Sequence, residues 1–136
     1  MNDAQHATLE PYIRDLADRL LLRDWEIDLG RQMAGEGTWA DVWIGNGENR
    51  ARIRLQHPEF FGESLERQRE HIVHELMHIP TGRLNMVMVR IKEMLPDDAM
   101  VEYANKCFHD EHEIVTQWLA RIIAPLMPLP PAVRDL

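Results

Sequence analysis

One cysteine, Cys107, stands in the 136-residue chain. That count excludes an internal disulfide and a thiolate zinc cluster, and the helical stretch around Cys107 predicts a small core residue there rather than a nucleophile. Positive charge is also short, with 15 Lys and Arg against 23 Asp and Glu for a formal charge of −8. So acidic a domain repels phosphate backbones unless it carries a strong local basic patch. The nearest approach to one is Arg50, Arg52 and Arg54, whose alternation reads as the wet face of a strand, so no nucleic-acid partner is expected. No stretch reaches about 18 uninterrupted apolar residues, so no membrane span is expected. The opening MNDAQHATLE lacks the basic start and apolar run of a signal peptide, which makes the cytoplasm the expected location. What remains is 45% hydrophobic and 28% charged, an ordinary globular composition of a length that suits one domain.

Along the chain, Leu9, Tyr12, Ile13, Leu16 and Leu20 recur at threes and fours. This predicts a helix from Thr8 to Leu22, with Thr8 as N-cap and Pro11 in the first turn, where a missing N–H costs nothing. Trp25, Ile27 and Leu29 alternate with acids up to Gly30. Ala40, Val42 and Ile44 alternate up to Gly45-Asn46-Gly47, and Ile53 and Leu55 follow. Three short strands predict a small, largely antiparallel sheet. After a loop over 56–64, Leu65, Ile72, Val73, Leu76 and Ile79 mark a helix capped by Ser64 and stopped at Pro80 and Gly82. A helix or, over the Met86-Val87-Met88-Val89 run, an extended segment is expected within 81–95, then a long helix from Asp98 to about Ile123 with Asp97 as its cap. The Pro-rich end reads as an extended tail. The expectation is an α+β domain over 1–124 with the tail over 125–136.

The helix that begins at Leu65 contains His74-Glu75-Leu76-Met77-His78, an H-E-x-x-H pattern. Residues four apart on a helix differ by about 40° around the axis and one turn along it, so two imidazoles can face one point. They can hold one metal ion there, while Glu75, next to the first ligand, stands beside the metal without binding it and can move a proton to and from water. A catalytic zinc needs a third protein ligand, and 80–84 offers no histidine for the longer three-histidine pattern. The donor is expected in His109-Asp110-Glu111-His112-Glu113. Glu111 lies in the apolar stripe of Val101, Ala104, Phe108, Val115, Trp118 and Ile122, where a buried carboxylate needs a partner. Glu113 shares a neighbouring face with His109, Thr116 and Ala120, whose small members permit close helix approach. Both acids, and His109 and His112 with them, stay open on this reading.

The H-E-x-x-H helix followed about 35 residues later by an acidic helix resembles the short zincin-like metallopeptidases of the glutamate-ligand type. These include ImmA/IrrE-like and SprT-like proteins and small phage and prophage members. In the ImmA/IrrE-like branch the ligand glutamate opens a run E-x-x-A-N-x-F-A, to which Glu113 through Ala120 is similar, with Thr116, Gln117 and Leu119 replacing the Ala, Asn and Phe. The resemblance covers about Trp25 to Ala124 in layout and selects Glu113 over Glu111. It implies a compact zincin-like core and an edge strand that can receive an extended peptide substrate. It further implies one Zn²⁺ per chain on His74, His78 and Glu113, with Glu75 as general base and then acid. Pro80 and the lack of a separate substrate domain depart from the family pattern.

Elsewhere His71 reads as solvated or as support for His74, and His6 and His57 as surface residues. Tyr103 or His109 could steady an oxyanion. The four tryptophans and the methionines are assigned to packing. The rival reading is a non-catalytic binding or regulatory module on the same scaffold. A third is a plain helical interaction domain without metal.

Overall fold

The computed structural model describes residues 1–45, 48–56 and 58–133. Asn46 and Gly47 of the turn signal, His57 and the last three residues of the tail lie outside them. The order is α1 (Asp3–Arg19), β1 (Glu26–Leu29), β2 (Ala40–Ile44), β3 (Arg50–Leu55), a single turn α2 (Glu59–Gly62), α3 (Leu65–Thr81), α4 (Asn85–Met94) and α5 (Asp98–Ile123). Short 3₁₀ turns follow α3 and α5. This is a mixed α+β fold with a three-stranded sheet, as expected. No helix among the described residues is long and apolar enough to cross a membrane.

The first helix starts five residues earlier than Thr8. Asn2 and Gln5 form a capping box, each side chain accepting from the other's backbone N–H, and the Thr8 hydroxyl instead donates to the Ala4 carbonyl. Pro11 therefore sits inside α1 on its exposed side rather than in the first turn. The helix ends in a Schellman arrangement, with Leu22 N–H on the Ala17 carbonyl and Leu21 N–H on that of Asp18. Leu21 occupies the left-handed position, at φ 60°, with its side chain 82% exposed. An L-residue with a Cβ is disfavoured there by about 1–2 kcal/mol, and this leucine gains little packing in return. Leu21→Gly is expected to raise the unfolding free energy by about 1 kcal/mol, read from the midpoint of a denaturant titration.

The sheet order is β1-β3-β2, with β3 parallel to β1 and antiparallel to β2. The expected largely antiparallel sheet is thus corrected to a mixed one. Alternation identifies a strand but not its direction, and the segment over 30–39 is long enough to carry the chain across β3 before β2 begins. One sheet face buries Ile27, Leu29, Ala51, Ile53 and Leu55 against α1 and α3. The other face is charged and paired in register: Arg50 with Glu26 at 3.0 Å, Arg52 with Asp28 at 3.8 Å and Arg54 with Asp41 at 2.7 Å. The alternating arginines serve cross-strand pairing, which fixes register more than it adds stability.

The loop expected over 56–64 contains α2, which buries Phe60 and Phe61. Ser64 caps α3 and Asp97 caps α5, as the sequence indicates. Pro80 lies within α3, whose last residue is Thr81, so it does not shorten the helix. The tail is extended beyond Met127 but packed against the domain. Val133 is buried in the core, Tyr12 donates to the Pro128 carbonyl, and Arg69 donates to that of Met127. Cys107 is exposed, not a core residue. His6 is half-buried with Nε2 2.8 Å from the Leu29 carbonyl oxygen, not a free surface histidine.

Candidate metal centre

The centre is built where α3 and α5 pack side by side. On α3, Ile72, Val73, Leu76 and Ile79 are fully buried or nearly so against the sheet. That anchorage turns His74 and His78 toward α5. On α5, Thr116 and Ala120 are completely buried. Their small side chains allow the close approach that lets the Glu113 carboxylate span both imidazoles.

The ligand atoms converge. His74 Nε2 and His78 Nε2 stand 3.0 Å apart, and each lies 3.4 Å from one oxygen of Glu113. Ligand atoms about 2.0–2.1 Å from a tetrahedral ion are separated by roughly 3.3 Å, so the three spacings fit one face of a zinc coordination tetrahedron. Burial lowers the pKa of His74 and of His78, the latter to about 4, against the opposing pull of Glu113. Neutral imidazoles are the ligating form. Among the described residues, His74, His78 and Glu113 form a group that could hold a metal ion.

Glu75 lies beside this group but is no part of it. Its side chain is 7% exposed, and burial, reinforced by Glu113 and Asp41, pushes its pKa up to about 8. Asp41 is held by Arg54 through two hydrogen bonds of 2.7 and 2.8 Å and accepts from Gly35 N–H. A cleft of about 610 Å³ opens at the centre, lined by His74, Glu75 and Glu113 and, among others, by Trp39, Asp41 and His109.

Several expectations are corrected here. Glu111 is exposed, as are Val115, Trp118 and Ile122, so the C-terminal half of the stripe assigned to the core faces solvent, while Val101, Ala104 and Phe108 are half-buried and the small-residue face is the packed one. His112 is no ligand: its Nε2 lies 2.9 Å from Thr81 Oγ1. Tyr103 is 72% exposed and does not line the cleft, whereas His109 does. His71 is not a solvated side chain; it is half-buried and stacked under Trp39, with ring centroids 5.6 Å apart. Trp39 is therefore cleft wall, and Trp43 and Trp118 are mostly exposed rather than packed. Met77 and Met88 are buried, but Met33, Met86, Met94 and Met100 are not.

Two residues that the sequence names in other roles support the centre instead. Gln117 donates to Glu70 at 2.7 Å and tethers α5 to α3 beside His74. His112 is the other. The Thr81 hydroxyl already donates to the Met77 carbonyl at 2.8 Å, so its proton is committed and His112 Nε2 must donate to it. The His112 ring then stands against that of His78, with centroids 5.2 Å apart, and stacks on Phe108. If the group holds a metal ion, His112→Ala is expected to weaken its binding while leaving all three ligands in place, measured by competition with a chromophoric chelator.

Comparison with protein-family models, with curated proteins and with solved structures finds no match to this chain.

Proposed function

We propose that the chain is a zinc-dependent metallohydrolase that cleaves peptide bonds, on a zincin-like core of the glutamate-ligand type. The observation that carries the reading is the division of labour around one cleft: three ligand atoms at tetrahedral spacing, and a buried carboxyl, Glu75, that lines the same cleft and is not one of the three. A purely structural site has no use for that fourth group.

His74, His78 and Glu113 would hold the zinc ion, which would supply Lewis acidity to polarise a carbonyl and lower the pKa of water towards about 7. Glu75 takes a proton from the attacking water on its carboxylate and delivers it to the leaving amine. Burial makes it suited to both tasks, since a carboxyl poised near neutral pH both accepts and returns a proton. Asp41, pinned by Arg54, keeps a negative charge near Glu75 and favours its protonated state. β2 is an edge strand, and Ala40, Asp41 and Val42 line the cleft. An extended peptide can add to such an edge by main-chain hydrogen bonds, with the scissile bond over the centre.

The test is prolonged incubation of the zinc-loaded protein with a peptide library read by mass spectrometry. Cuts that vanish with a chelator and return with zinc support the proposal. No cuts from a protein that holds zinc would leave a binding module on the same scaffold.

A further inference from the structure

Glu111, Val115, Trp118 and Ile122 recur at intervals of four, three and four along α5, the spacing of a seam that packs against another helix. Nothing in the described chain covers it. Trp118 is 65% exposed, Ile122 69% and Val115 44%. At about 100° per residue the seam lies roughly half a turn around α5 from Glu113, so it faces away from the metal centre. Leu126, 76% exposed, carries the apolar surface past the helix end.

The charges on the seam select the occupant. Glu111 is exposed at its N-terminal end, and Arg121, which pairs with Glu70 of its own chain at 3.6 Å yet stays 64% exposed, flanks its C-terminal end. A parallel partner copy would set Glu111 against the same carboxylate. An antiparallel copy, on a two-fold axis beside Thr116 and Gln117, sets Val115 against the partner's Trp118 and Glu111 beside the partner's Arg121. Acid at one end and base at the other make the stripe complementary to itself, as a two-fold interface requires.

We propose that the chain forms a homodimer through antiparallel α5 helices, buried around Trp118 and closed at each end by Glu111 and the partner's Arg121, with both metal clefts facing outward. The inference is independent of the metal reading. Sedimentation equilibrium of the full chain across the micromolar range is expected to give a mass approaching twice 15.9 kDa. Trp118→Glu is expected to return the single-chain mass with an unchanged circular dichroism spectrum, because the side chain is exposed within one chain. Glu111→Arg and Arg121→Glu each weaken the dimer by about tenfold, and the two together restore it. A single-chain mass at every concentration overturns the proposal, as does a dimer unmoved by Trp118→Glu. A double variant no tighter than either single one overturns the antiparallel register.

Discussion

Glu75→Gln is expected to keep zinc at the parent stoichiometry and to lower peptide hydrolysis by about 10²–10⁴-fold, the usual contribution of a positioned general base. The substitution preserves shape and buries no new charge. In the metal-free chain Glu75 is pushed up to about 8 and is largely protonated at neutral pH, so an amide resembles the form already present. Stability should therefore change little, and the loss should appear in kcat rather than in folding. Elemental analysis and single-turnover cleavage on the same preparation separate the two effects. A Glu75→Gln protein that cleaves at the parental rate would remove the carboxyl from the mechanism.

Glu113→Ala has the second large effect. It leaves two imidazoles where a catalytic zinc needs three protein donors, and zinc affinity is expected to fall by more than about 100-fold. The consequence extends to stability, because a metal bound only by the folded state stabilises it by about 2.7 kcal/mol at a free concentration one hundred times its dissociation constant. The parent's thermal midpoint should rise on adding zinc, and that of Glu113→Ala should not. Glu111→Ala is the matched control, since Glu111 is exposed on the far side of α5 and should leave the zinc response intact.

The α3 half of the centre was legible in sequence because its signals are local. Ser64 caps the helix, the apolar residues hold one period, and His74 and His78 are one turn apart whatever surrounds them. The α5 half was not legible by hydrophobicity. That helix carries an apolar stripe and a stripe of small residues, and the apolar one, through Val115, Trp118 and Ile122, is exposed. Close approach to α3 uses Thr116 and Ala120 instead, a small-residue face that left Glu113 and Glu111 both open until the resemblance to the glutamate-ligand run selected Glu113. Trp39 and His71 escaped for another reason: their meeting depends on where β2 lies against α3, which no local pattern encodes. The true start of α1 was written in Asn2 and Gln5 but hidden by the apolar period, which begins only at Leu9.

The central claim is that His74, His78 and Glu113 hold one zinc ion. Elemental analysis of the purified protein, with Glu113→Ala and Glu111→Ala beside it, tests that most directly. The account predicts about one zinc per chain in the parent and in Glu111→Ala, and almost none in Glu113→Ala. A parent that holds no zinc even after zinc is added back would contradict it.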